Sequence, residues 1–236
     1  MPILNMIYWA TWWGGWGWWQ PWANTIAYYP FATDVNDYSW NNRNLTNHWI
    51  TFSDGYAILE TTNQTSTQWP YASYSWWITW YKTISCRFYK TWTTNWMLCI
   101  WHNNGAISDA YFQLRTQNPN WFSAGTTWGG GFNNDITNNN YNINFNQWHL
   151  VTITQNVAQD SWAWSWTMNV YLDGVPYGTT NHYLNRPLYR FGSATEWWYY
   201  YNFPWKFSNL IIEDKERTAQ EVADYYNQTK GDYGIS

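Results

Sequence analysis

The only carboxylate cluster in the chain is Glu213-Asp214-Lys215-Glu216. Glycosidic bond cleavage needs two carboxylates on one face, one as nucleophile and one as acid/base. Strand alternation delivers such a pair at i and i+2. The 213–216 run has the wrong spacing and lies just before a helical pattern, so it is expected to be a solvated turn that helps start that helix. His48, His102, His149 and His182 are scattered. His149 follows a tryptophan in an apolar run and is expected to serve structure rather than proton transfer. No Ser/His/Asp order, phosphate loop or His/Cys metal spacing is present. An enzyme is not expected.

Binding chemistry is better represented. Calcium takes carboxylate and carbonyl oxygens clustered in loops. The best clusters are Asn133-Asn134-Asp135, and Asn103 and Asn104 with Asp109, which makes Asp109 and Asp135 the candidate calcium ligands. Polar loops capping strand ends explain the same residues without a metal. Trp162 and Trp164 alternate with Ala163 and Ser165, so at period 2 they share a side. They form either a stacking platform or ordinary packing. Asn133, Asn134, Asp135, Trp162 and Trp164 are thus the candidate ligand-binding residues. Gly129-Gly130-Gly131 either lets a ligand approach the backbone or is a flexible loop. Cys86 and Cys99 form no metal signature. They read as buried small hydrophobes or as a bridge between neighbouring strands.

Tryptophan is the compositional anomaly, with 25 copies in 236 residues. Many stand where the surrounding chain asks for glycine. Residues 12–19 read Trp-Trp-Gly-Gly-Trp-Gly-Trp-Trp, Trp40 sits in a turn context, and Trp128 opens a glycine run. Glycine supplies positive φ cheaply and tryptophan does not. Either these residues make an aromatic binding surface, or some stand at UGA codons that the source organism reads as glycine. UGA is a stop in the standard code, Trp in one bacterial variant and Gly in another.

The chain divides into a short apolar head at 1–10, a Gly/Trp-rich linker at 11–24, one domain at 25–230 and a loose tail at 231–236. Net charge is −4 with 11% charged residues, which argues against a nucleic-acid partner. The N-terminus lacks the basic region and small-residue cleavage site of a secretory signal. No uncharged run has transmembrane quality, because polar and glycine residues interrupt throughout. Aromatic and β-branched segments predict strands over 26–31, 49–52, 56–59, 75–82, 84–89, 97–101, 110–115, 121–123, 142–145, 149–154, 168–172, 188–191 and 207–213. Asn/Gly/Asp/Pro clusters separate them, and Asp173-Gly174 is the strongest hairpin signal. Regularly spaced short strands with such punctuation indicate an all-β sandwich. One helix is expected near the C-terminus. Thr218 and Glu221 form a capping box, Val222, Tyr225 and Tyr226 share a face, and the helix should end near Asn227.

In this order the segments resemble the concanavalin A-like lectin/glucanase superfamily, in its non-catalytic laminin-G-like branch. Residues carrying the likeness are Ile26-Ala27-Tyr28-Tyr29-Pro30-Phe31, the loop from Asp37 to Thr46, and Gln147-Trp148-His149-Leu150-Val151. The strand over 75–82 with its aromatic Trp80, the hairpin Tyr171-Leu172-Asp173-Gly174, the strand start around Trp205, and Arg217 to Val222 complete the pattern. The resemblance implies a two-sheet antiparallel jelly-roll sandwich with one short C-terminal helix, over about residues 25–230. Some members hydrolyse glycans through a Glu-x-Asp-x-x-Glu strand, which this chain lacks. The family pattern expects glycine at Trp40 and Trp205, and by extension puts Trp49, Trp77, Trp166 and Trp198 in question. Trp80, Trp96, Trp101 and Trp148 read as genuine core or sheet residues.

Three functions follow in order of expectation. The first is a carbohydrate-binding or adhesion module that takes a glycan or cell-surface polysaccharide, with calcium as the possible cofactor. The second is a structural phage virion protein, a fibre or decoration, attached to a capsid, tail or surface assembly through residues 1–24. A glycoside hydrolase comes third. Either of the first two places the protein on a virion, a cell surface or outside the cell.

Overall fold

In the computed structural model the described residues are 23–59, 70–90, 96–99, 112–116, 123–128, 131–137, 143–144, 146–157, 167–180, 188–192 and 205–234. At 75–77, 90, 96–99, 112–116, 123–128, 131–137, 180, 189, 190 and 205 the description is of the backbone alone. Fifteen strands lie among these residues. They are β1 (Thr25–Tyr29), β2 (Leu45–His48), β3 (Thr51–Ser53), β4 (Tyr56–Ile58), β5 (Tyr71–Ile78), β6 (Thr83–Lys90), β7 (Trp96–Cys99), β8 (Phe112–Thr116), β9 (Ser123–Trp128), β10 (Gly131–Thr137), β11 (Trp148–Gln155), β12 (Met168–Leu172), β13 (Val175–Thr180), β14 (Leu188–Gly192) and β15 (Trp205–Glu213). All pairings are antiparallel. The first sheet runs β13-β12-β11-β6-β15-β4-β3, with β1 also on β15, and the second runs β10-β9-β8-β7-β14-β5-β2. The expected two-sheet sandwich is present. β2, β10 and β13 were not anticipated. The strand expected over 142–145 is absent at residues 143 and 144, the described part of it.

Alternation builds the core. Ile84, Cys86 and Phe88 on β6, Val151 and Ile153 on β11, and Phe207, Leu210 and Ile212 on β15 point between the sheets. Ala72, Tyr74 and Ile78 on β5 and Phe191 on β14 meet them from the second sheet. Phe31 stacks on both Tyr29 and Phe191, at ring separations of 5.9 and 5.0 Å. Cys86 is a free, buried thiol that burial pushes well above the ordinary range. Cys99 lies on β7 of the other sheet, so the two cysteines are not on neighbouring strands, and the bridge considered between such strands does not form.

The opposite face of the first sheet is covered as well. Helix α1 (Ala219–Thr229) starts at a complete capping box of Thr218 and Glu221, as its sequence predicts, and runs two residues past the expected Asn227. Val222 and Tyr225 are its buried positions, and Tyr225 packs with Tyr28, Leu150 and Ile211. Residues 231–233, read in the sequence as part of a loose tail, instead form with Lys230 a 3-10 turn in which the Tyr233 ring lies 5.1 Å from that of Trp148. The β12–β13 turn seats the helix. Asp173 and Gly174 are left-handed at φ 52° and 78°, the pattern of a two-residue type I′ turn. A Cβ on Gly174 would stand 2.9 Å from Tyr226 Cβ and 3.2 Å from Ala223 Cα.

Two arginines lie beneath this helix. Arg217 meets Glu213 at two points, Nη2 to Oε1 at 3.0 Å and Nε to Oε2 at 2.6 Å. The expectation of a solvated turn at 213–216 therefore fails for Glu213, which closes β15 in a buried ion pair, while Asp214 and Lys215 are exposed. Burial raises the Glu213 pKa and Arg217 opposes that shift. Among the described residues Arg87 has no carboxylate partner. Its guanidinium lies 4.2 Å from the Tyr233 ring centre and donates to Thr229 in the last helical turn. The negative end of the helix dipole and the ring face both favour a cation there.

Candidate functional site

The second sheet has one face turned from the core, and its register can be followed across every strand. Tyr71 and Ser73 on β5 are half-buried, whereas Ala72 and Tyr74 between and beyond them are buried. Tyr71 therefore marks the outward row. His48 pairs with Tyr71, Tyr71 with Gly192, Gly192 with Cys99, Cys99 with Gln113, Gln113 with Gly125, and Gly125 with Asp135. The row two residues toward one end holds Thr46, Ser73 and Arg190, and the row toward the other holds Met97, Arg115, Ser123 and Thr137. The alternate positions Leu98, Leu114, Ala124 and Ile136 are apolar and fall on the core side. By the same alternation Phe112, Thr126 and Asn134 occupy the opposite face from Gln113, Gly125 and Asp135.

At the β2 edge the row begins with stacked rings. The His48 and Tyr71 ring centres are 4.2 Å apart with planes 14° from parallel. His48 Nε2 is 2.9 Å from Ser73 Oγ, which fixes the imidazole orientation. Trp49 stands edge-on to Tyr71, with centres 6.2 Å apart. Next along the row is Gly192, whose φ of 118° suits glycine, and where a Cβ would meet Pro70 O at 2.9 Å and Tyr71 Cα at 3.0 Å. The absence of a side chain at 192 leaves Tyr71 with no bulk beside it on that strand. A ring followed by side-chain-free and hydrogen-bonding positions suits a ligand with both C–H faces and hydroxyls.

The sequence candidates are distributed unevenly. Asn133, Asn134 and Asp135 were expected in a loop. They lie instead within β10, at the far edge of this sheet, where Asn134 pairs with Thr126 and Asp135 with Gly125. Asp109, Trp162 and Trp164 fall outside the described residues. Among the described residues no group of three or more His, Cys, Asp or Glu side chains is placed to hold a metal ion. His48 and Tyr71 were not singled out from sequence. Their relation is a cross-strand one, set by the β2–β5 register and by β2, which the sequence reading did not anticipate.

Besides the His48–Ser73 contact, the described residues hold a second arrangement with the outline of a catalytic pair. His149 Nδ1 is 2.7 Å from Asp173 Oδ2, and its Nε2 is 2.8 Å from the Asn144 carbonyl oxygen. Asp173 Oδ1 accepts from the Leu150 amide at 2.8 Å. Both ring nitrogens are taken up by protein groups, so neither is open to a substrate. With His149 only 2% exposed, the pair ties the β12–β13 hairpin to β11, the structural role expected of His149.

Trp148 is buried, as expected. Trp80 is not the core residue its strand context suggests. It lies just past the end of β5, 59% exposed, with φ 62°. Trp49 is 54% exposed with φ 65°. Trp40 is 83% exposed, but Asn42 takes the left-handed conformation in its turn. Trp205 lies in β15 without positive φ, so the backbone itself does not demand glycine at 40 or 205. No helix among the described residues is long and apolar enough to cross a membrane.

No family model and no curated protein matches this chain. Solved structures do. Trypanosoma rangeli sialidase, in complex with sialic acid, aligns with a TM-score of 0.60 at 11% identity over 88% of this chain and 33% of its own. Botulinum neurotoxin type C, described by its interaction with two ganglioside molecules, aligns with a TM-score of 0.58 at 11% identity over 87% of this chain and 51% of its own. Domain 4 of AbnA, an extracellular GH43 arabinanase from Geobacillus stearothermophilus in complex with arabinotriose, aligns with a TM-score of 0.56 at 15% identity over 85% of this chain and 97% of its own. The chain spans about half of the neurotoxin chain and a third of the sialidase chain. At such identities the likeness is one of fold, and it identifies the chain as a two-sheet antiparallel β-sandwich, with one short C-terminal α-helix among the described residues.

Proposed function

We infer that the protein is a non-catalytic carbohydrate-binding module of the concanavalin A-like, laminin-G-like kind, holding saccharides on the outward face of its second sheet. The observation that carries this reading is the continuous row from the His48–Tyr71 stack through Gly192, Gln113 and Gly125 to Asp135. An aromatic ring takes the apolar face of a sugar, and the polar positions beside it take the hydroxyls. The gangliosides, sialic acid and arabinotriose named with the three structural neighbours support the same ligand class. A glycan array followed by calorimetry tests it, with the parent protein and Tyr71→Ala, each with and without calcium. Binding that falls at least about tenfold in Tyr71→Ala, the loss of ~1.4 kcal/mol, supports the reading. An array with no hits in either condition sinks it.

The module is further proposed to be displayed on a particle or cell surface through residues 1–24, whose Gly/Trp-rich composition at 11–24 suits a linker. The same segment supports the alternative of a structural virion protein. Capsid, portal or tail genes beside its own gene favour the virion setting, and their absence removes the ground for it.

A further inference from the structure

Among the described residues, eight non-glycine positions have positive φ, and five of these are Asn or Asp: Asn42, Asp54, Asn146, Asp173 and Asn209. These are the residue types that tolerate the left-handed region through local hydrogen bonds. The other three are Phe31, Trp49 and Trp80. Phe31 has an evident compensation, since it is fully buried between Tyr29 and Phe191. Trp49 and Trp80 have no comparable burial, because each is more than half exposed. A bulky residue is therefore held in glycine's conformation twice, while its side chain stays largely in water.

Both positions sit where a chain reversal requires that conformation. Trp49 lies between β2 and β3, where the chain leaves the second sheet for the first, and Asn47 closes the turn by bonding the Ile50 amide and carbonyl, both at 2.9 Å. Trp80 lies between β5 and β6, at another such crossing. The residues that follow are fixed, Tyr81 by burial and Lys82 by its amide bond to the Glu213 carbonyl at 2.7 Å. The backbone on either side is thus pinned, and the left-handed residue between has no freedom to rotate away.

We propose that residues 49 and 80 of the natural polypeptide are glycine, encoded by UGA codons that the source organism reads as glycine. These two of the sheet crossings are then glycine hinges of ordinary kind. The consequence reaches the sugar-binding face. With glycine at 49, the indole beside Tyr71 is absent, and the His48–Tyr71 stack alone forms the aromatic end of the row.

Tandem mass spectrometry of the protein isolated from its source decides the matter, together with the codons of its gene. Trypsin leaves residues 44–82 as one peptide, since no Lys or Arg lies between Arg43 and Lys82. Glycine masses at 49 and 80 with UGA at both codons are expected. Tryptophan at either position, or a UGG codon there, overturns the proposal for that position. A second measurement uses recombinant protein. Trp49→Gly should bind glycan at least as tightly as the tryptophan form, and a tenfold or greater loss would make Trp49 a binding residue and refute its assignment as glycine. A protein that binds no glycan at all refutes the functional reading and leaves the peptide masses to judge this one.

Discussion

Replacing Trp80 by alanine and by glycine separates conformation from contact. Both substitutions remove the same indole, so whatever area it buries cancels between them. What remains is a Cβ in the left-handed region at φ 62°. An L-residue there costs about 1–2 kcal/mol. Glycine's greater freedom in the unfolded chain offsets roughly 0.5–1 kcal/mol of that. Trp80→Gly should therefore be more stable than Trp80→Ala by about 0.5–1 kcal/mol. The same comparison at Trp49, φ 65°, should give the same sign and size. Val175 provides the control, being 50% exposed and without positive φ. At Val175 alanine should win by about 0.5–1 kcal/mol, because only the unfolded-state term remains. Urea denaturation followed by tryptophan fluorescence reads these differences as midpoint shifts of roughly 0.3 M, at a slope of about 2 kcal/mol per molar. The sign reversal between Trp80 and Val175 is the critical result. Alanine matching or exceeding glycine at both 49 and 80 would refute the claim that those backbones are glycine-like.

Three further outcomes are expected. Arg217→Met strands the buried Glu213 carboxylate and should cost about 3–5 kcal/mol, whereas Arg87→Met strands no charge and should stay within about 1 kcal/mol of the parent; equal losses in thermal unfolding would show that Arg87 has an acidic partner. Gly174→Ala forces a Cβ against Tyr226 and Ala223 on α1, and hydrogen exchange should speed up in residues 219–229 before it does in β11; uniform exchange would refute the seat described for the helix. The Lys215 ammonium and the Thr218 amide hold the Glu221 carboxyl below the ordinary range, so its contribution is present above that range and lost as pH falls through the depressed value. The urea midpoint of the parent should drop further between pH 6 and pH 3 than that of Glu221→Gln, and identical drops would remove the carboxylate from the cap.

The fold was legible because its signals are local. Asp173-Gly174 dictates a type I′ hairpin, and Thr218 with Glu221 dictates a helix start, whatever the rest of the chain does. β2 was missed because Leu45-Thr46-Asn47-His48 has one buried position and two exposed ones, so an edge strand of this kind carries little apolar pattern. Glu213 was misplaced because four charged residues in a row read as solvent-facing, and its partner Arg217 meets it only once β15 delivers it under the helix. The outward row of the second sheet is hidden for a different reason. Its members lie on seven strands, and only the register between strands brings His48, Gly192, Gln113 and Asp135 into line.

β15 occupies the middle of the first sheet, bonded to β6 on one side and to β4 and β1 on the other. It is also the last of the described strands. During synthesis, β1, β4 and β6 leave the ribosome with their neighbour still unmade, and they expose apolar edges until residue 213 has emerged. The sheet then closes in one late event that joins the first strand to the last. Closing this sheet depends on long-range contacts, which makes it slow. A chain that stops short of β15 can still pair β13-β12-β11-β6 and β3-β4, but it leaves β1 without its partner and one edge each of β4 and β6 open, and such open edges are the ones most exposed to aggregation.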